Sequence, residues 1–413
     1  MTSIELLIVA LCVAISFIST RFLPLAIIFS AAFWVFRWIA HGHLSIRSPA
    51  DWPISVIFLM TVVSLWISES PSHTVLQVLR LLTGIALFYA IVNWADSYQR
   101  IKWIVVGIVL LGVLLSLFAL VGVEWSTSKL TFFPSFIYDR FLLLVSDAAN
   151  PNVMAGTLIL LLPVIIALLL FNWTNLGWTL RIVSIVAFFL MTAVLGLTQS
   201  RSAWIAFCFA SIGLIALRWK RGWVVILISI FVIGAVFSYF ERQLLLETII
   251  NSATIGGVEG RIEVWSRAIF MIKDFPYTGV GLGLYGDVAD LMYPFYLHGQ
   301  GIVTHAHNLF LQIAVDLGIP GLISWLATFL IVVYLSMQVY FFGRRSKHGS
   351  GWEVSIGAGL FCSQIALFIH GLTDAVTWGI VRPAPIVWLV WGLVIATWLW
   401  LNQDYRKPQL SNT

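Results

Sequence analysis

The chain is predicted to be all-α, a polytopic membrane bundle of about twelve transmembrane helices. Three observations predict it. Hydrophobic residues make up 60% of the 413 and charged residues only 10%, against about 25% charged in soluble domains. Apolar windows of about 20 residues, the length that crosses a bilayer as a helix, recur along most of the sequence. Many of the 20 tryptophans fall at window ends, among them Trp34, Trp38, Trp66, Trp94, Trp103, Trp219, Trp223, Trp352 and Trp400, where amphipathic rings favour the headgroup level. A helical bundle in lipid satisfies its own backbone polar groups, so one domain can use the whole length, 1–413.

The windows fall at 4–20, 22–40, 52–69, 74–93, 101–123, 152–171, 180–198, 202–219, 223–240, 319–342, 353–373 and 384–401. The first has no basic lead and no small-residue cleavage site, so it reads as a retained span, joined tightly to the second around Thr20-Arg21. Cys12, Cys208 and Cys362 each lie in an apolar run, without the spacing of a disulfide framework or a metal site. The loop 123–151 carries Glu124, Lys129, Tyr138, Asp139, Arg140 and Asp147 around a Phe-rich middle. It is expected to lie along the interface and pack on the bundle.

Orientation follows from Lys and Arg in the short connections. Arg37, Arg47, Arg100, Lys102, Arg181, Arg218, Lys220, Arg221, Arg344, Arg345, Lys347, Arg406 and Lys407 fall on the side of the N-terminus. Twelve spans then put both termini in the cytoplasm. The long segment 241–318, the loop 123–151 and the short Ser200-Arg201 connection come out on the external face. The net charge of +5 follows from this bias and calls for no nucleic-acid partner.

The segment 241–318 is not membrane-like and holds most of the groups able to do chemistry. Arg261 follows Gly256-Gly257-Val258-Glu259-Gly260 and opens an amphipathic helix whose Ile262, Trp265, Ala268, Ile269 and Ile272 recur at helical spacing. The first turn of a helix favours an anion, and arginine adds a planar fork for phosphate oxygens. The competing reading is an ion pair with Glu259 or Glu263. Arg201, at the edge of an apolar window after Thr198-Gln199-Ser200, has no carboxylate nearby in sequence and either snorkels to headgroups or faces an anion.

His305 and His307 are candidate bases, because imidazole titrates near neutral pH. Two apart, they are expected to point in opposite directions on a regular segment. A metal pair is disfavoured, since helical pairs prefer a spacing of four and no third ligand is near in sequence. Arg80, two turns into its window, and Asp374, able to orient a histidine or pair with an arginine, are auxiliary candidates beside His370 and Arg382.

These residues carry a resemblance. Ser200-Arg201-Ser202-Ala203-Trp204, Arg261 with Trp265, the Gly279-Val280-Gly281-Leu282-Gly283 turn after Phe275-Pro276, and His307-Asn308 followed by nine residues, Gly318, two more and Gly321 look like the O-antigen ligase and polymerase superfamily. The resemblance is best from about 150 to 321. It implies an inverting, metal-independent, cofactor-free glycosyltransferase of the GT-C type in the bacterial inner membrane. Such an enzyme moves a glycan from undecaprenyl diphosphate to a lipid, glycan or protein hydroxyl on the periplasmic face. Arg201 and Arg261 match the family's diphosphate-binding arginines and His307 its base, while His305 is an extra residue to which no role carries over. Ligase and polymerase remain open alternatives. A small-solute transporter, such as the bicarbonate transporters some relatives have been labelled, is the different-class reading; internal repeats and broken helices at the midplane, its expected marks, are not evident in the sequence.

Overall fold

A computed structural model describes residues 2–16, 23–125, 135–138, 140–144, 148–239, 258–295, 303–345, 351–378 and 384–402. The Thr20-Arg21 junction, the 240–257 lead to Arg261, Lys129, Asp139, Asp147 and Arg382 lie outside them.

Every predicted window is occupied by a helix. In order these are α1 Thr2–Ser16, α2 Leu23–His41, α3 Asp51–Ile67, α4 Pro71–Trp94 and α5 Tyr98–Gly122. After the four-residue α6 Ser135–Tyr138 come α7 Pro151–Phe171, α8 Trp178–Leu197, α9 Arg201–Arg218 and α10 Gly222–Tyr239. Two helices without a counterpart among the windows follow, α11 Val258–Asp274 and α12 Tyr285–Met292. The chain then continues as α13 Leu309–Arg345, α14 Gly351–Gly371 and α15 Ala384–Leu401. Among the described residues, eight helices are long and apolar enough to cross a membrane, and four shorter apolar ones, within α1, α3, α10 and α15, fill the remaining windows. The protein is thus an all-α, multi-pass membrane protein.

Its centre is built from α7 and α14, flanked by α9 and α13, with α4 packed on α15. Helices in lipid gain little from hydrophobic burial against one another, so close backbone approach matters more. Small residues supply it: a side chain at Gly359 would run into Val164 of α7, and one at Gly357 into the backbone of Tyr340 on α13. Some polar groups inside pair across helices, as where the Trp391 indole donates to Gln364 Oε1 at 2.9 Å. Of the tryptophans expected at the headgroup level, Trp352 differs: it is 3% exposed, with the Lys102 ammonium 4.8 Å over its ring. The sequence position at a helix end was right, but the ring turns into the bundle.

The tenth window was predicted to begin at 319. Instead α13 begins at Leu309 and is interrupted at Gly318, where φ is 68° and ψ is −179°. The reason lies in the glycine turn after α11. Val280 N donates to Val315 O at 2.8 Å and Ile319 N to Pro276 O at 2.7 Å, so the 276–280 backbone lies directly against the kink. A Cβ at Gly318 would sit 2.7 Å from the Tyr277 carbonyl carbon, and one at Gly279 2.5 Å from Val315 O. Both positions combine positive φ with close backbone approach, which only glycine meets without strain. Gly279, Gly281 and Gly283 all have positive φ, so the Gly-x-Gly-x-Gly run is a turn built to seat this kink.

Candidate active site

Three short pieces converge beside that turn. The first is the start of α9. Gln199 has a left-handed φ of 51°, and its side-chain amide donates to the Tyr138 hydroxyl at 2.6 Å, while that hydroxyl donates to Leu197 O at 3.1 Å. Trp204 clamps the same corner through its indole N–H to Leu195 O at 2.9 Å. Arg201 therefore emerges at the first position of α9 from a braced turn, with an exposed side chain. The 123–151 loop supplies that brace, an involvement its apolar composition did not reveal.

The second piece is α11, with Arg261 in its first turn as predicted. Its buried stripe is Val264, Ala268 and Met271, packed with Tyr285, Ala289, Ala306 and Val315. The predicted stripe is thus rotated: Trp265 and Ile272 are partly buried, but Ile262 and Ile269 are 57% and 43% exposed. Two apolar faces on one short helix made the spacing ambiguous, and burial went to the face opposite Ile262. Glu263, a candidate partner for Arg261, instead bonds Arg267 one turn on at 3.1 Å; the Glu259 side chain lies outside the description. The Arg261 Nε is buried with no hydrogen-bond partner among the described residues. Burial and the nearby Arg201 charge lower its pKa, against the opposing pull of Asp374, so both arginines and Asp374 share one electrostatic environment.

The third piece is Thr304 to Asn308. His305 and His307 were expected to point apart, and they do not: their rings lie 4.1 Å apart, centroid to centroid. The period argument fails because His307, with φ 47°, sits in a left-handed turn rather than on a regular element. Asn308 then caps α13, accepting from Phe310 N and Leu311 N at 3.0 Å each, and donates to Leu372 O at 2.9 Å. That second bond ties the histidine loop to the stretch carrying Asp374. The His305 Nε2 approaches Asp374 Oδ1 at 3.4 Å, and its Nδ1 lies 3.1 Å from the Thr304 hydroxyl.

Asp374 is buried. Burial opposes its ionisation, but the contact from His305 and the charges of His370 and His305 outweigh it and hold the carboxyl below the usual range. His307 moves the other way: burial first, then the neighbouring His305 and Arg261, push its pKa down to about 4 despite Asp374. At neutral pH its imidazole is therefore uncharged and able to accept a proton. Its Nδ1 has no hydrogen-bond partner among the described residues.

A third ligand-capable group does exist, contrary to the reading from sequence neighbours. Donor atoms of His305, His307 and Asp374 lie within 4.8 Å of one another, with His305 Nε2 3.4 Å from Asp374 Oδ1, so by spacing the set could hold a metal ion. The Arg261 charge acts on the same group, lowering the pKa of His307.

The Arg80 guanidinium donates to Gln77 Oε1 at 3.1 Å, and Gln77 packs against Gly283 of the glycine turn. Residues missed from the sequence are Gln312, Asp316 and Trp378. Asp316 is fully buried and accepts from Gln312 Nε2 at 2.9 Å, Gly283 N at 3.2 Å and Trp378 Nε1 at 2.8 Å. The available signal was an Asp and a Gln four apart in the otherwise apolar run 309–317.

Fold and site together define a multi-pass membrane protein in which two arginines, two histidines and an aspartate meet at helix ends. Residues 186–326, about a third of the chain, match the family model described as O-antigen ligase. Over that stretch the chain carries an O-antigen ligase domain, and the protein is a membrane enzyme of the ligase and polymerase type. No curated protein matches the chain.

Proposed function

We propose that the protein is an inverting, metal-independent glycosyltransferase that moves a glycan from undecaprenyl diphosphate to an acceptor hydroxyl, as O-antigen ligases do. The observation that carries the reading is the meeting of Arg201 and Arg261, coupled through their charges, with a neutral His307 beside Asp374. The arginines take the diphosphate, Arg261 bidentately, and stabilise the charge that builds on the leaving group. A diphosphate leaves without a general acid. His307 accepts the acceptor's proton as its oxygen attacks the anomeric carbon from the face opposite the diphosphate, which inverts configuration. Asp374, through His305, orients the histidine pair and balances the cationic charge gathered there. The bundle is one domain of GT-C type. It sits in the bacterial inner membrane with both termini cytoplasmic and the 241–318 segment on the periplasmic face, where Ile262, Ile269 and Phe270 of α11 meet the membrane surface.

The deciding measurement is the size profile of lipid-linked and acceptor-linked surface glycan in cells with and without the chain. A ligase leaves long chains on the polyprenyl carrier when it is removed; a polymerase leaves single repeats there. An unchanged profile overturns the enzyme reading and favours a transporter.

The lowered pKa of His307 gives a pH expectation. An ordinary imidazole with pKa about 6.5 loses half its base form at that pH. Here the proton binds only near pH 4, so kcat/KM, which reports the free enzyme, stays flat from neutral pH to about 5 and falls below it. An acid limb centred near 6.5 would show that His307 is not held neutral in this way.

A further inference from the structure

We infer that Gln312 and Asp316 form a positioning clamp that sets the geometry of the histidine loop; the inference rests on the reading of His307 as the base. Gln312 and Asp316 lie four apart on the first part of α13, hence on one face. Asp316 has three donors and each comes from a different piece of chain: Gln312 from its own helix, Gly283 from the glycine turn and Trp378 from beyond α14. With its amide nitrogen committed to Asp316, Gln312 must turn its oxygen the other way. That oxygen accepts the backbone N–H of Ala306 at 2.7 Å, the peptide between the two histidines. The next residue is His307, in a left-handed conformation that residues with a side chain seldom adopt unless held.

The direction of each bond is determined. Backbone and indole N–H groups only donate, so Gln312 turns its oxygen to Ala306 N and its amide nitrogen to Asp316, whose oxygens accept from Gly283 N and Trp378 Nε1 as well. The same carboxylate fixes the glycine turn and the Trp378 stretch, which begins just after Asp374. One buried group thus sets the relative placement of His307, the kink at Gly318 and the segment bearing Asp374. The charges that act on Arg261 are those of Asp374 and Arg201 rather than Asp316, so the clamp is expected to act on the base more than on donor binding.

The test uses full-length protein in lipid nanodiscs, with kcat and donor KM measured for a lipid-diphosphate-linked glycan. Asp316→Asn sets an amide N–H against one of three donors; Gln312→Glu sets one carboxylate against another. Each is expected to lower kcat by about 100-fold, the scale of an ångström-level misplacement of a reacting group, while donor KM stays within about threefold. Adding Trp378→Phe to Asp316→Asn removes the opposed indole donor and is expected to restore about tenfold of kcat. A role in stability alone would lower the melting temperature and the active fraction without that split or that recovery. Folded Asp316→Asn and Gln312→Glu proteins with native kcat would overturn the clamp, as would an Asp316→Asn loss that Trp378→Phe does not relieve. If His307→Ala is itself fully active, the reading of the base fails instead, whatever the clamp variants do.

Discussion

His307→Ala is expected to reduce transfer from a lipid-linked diphosphate donor by about 10²- to 10⁴-fold, the usual contribution of a positioned base. The protein should remain folded, since the interactions that build the loop belong to its neighbours. Asn308 caps α13 and reaches Leu372, and Ala306 N is held by Gln312. His305→Ala should be milder, because His305 stands between Thr304 and Asp374 and acts through the ring beside it. The measurement is single-turnover transfer with purified protein. A His307→Ala enzyme with native rate would sink the assignment, and a greater loss in His305→Ala would exchange the roles of the two rings.

Arg261→Ala is expected to lose about 10²- to 10³-fold, comparable to removing a donor aimed at developing charge. The effect should be large because this guanidinium is half-buried in the first turn of α11, where exposed backbone N–H groups already favour an anion. Arg261→Lys separates two contributions. It keeps the charge and loses the fork, so a loss between native and Arg261→Ala is expected. Full activity in Arg261→Lys would mean that point charge alone serves at this position. Arg201→Ala should fall in the same direction, with a smaller loss from a more exposed group.

Much of this architecture was legible in the sequence because its signals are long. A window of about 20 apolar residues survives errors of a turn at either end, and all twelve windows proved helical. Arg201 and Arg261 were found because a charge at a helix start is conspicuous in an apolar sequence. The misreadings of orientation come from reliance on a regular period where the backbone is irregular or where two faces of a helix are apolar. His305 and His307 were separated by a rule for helices and strands, yet His307 sits at φ 47°. The stripe on α11 was chosen by spacing although two faces were apolar, and only packing against Tyr285 and Ala306 decides between them. Asp374 as neighbour of His305 was one of two options left open, because the contact spans a whole helical hairpin. Asp316 and Gln312 were passed over inside an apolar run, where a polar pair four apart was the only mark of a network reaching three other segments.

The cap formed by Asn308 has a further consequence. By gripping the α13 start with its oxygen and Leu372 with its nitrogen, it makes His307 and Asp374 parts of one frame, whereas Arg261 arrives on a separate helix seated by side-chain packing and by bonds from the Tyr285 hydroxyl to Val264 O and from the Tyr293 hydroxyl to Asp274. The anvil is fixed and the jaw is a module. On the proposed function, substitutions on the outer face of α11, at Ile262 and Ile269, retune which donors are admitted, while those on the face packed against Ala306 also move the histidine loop.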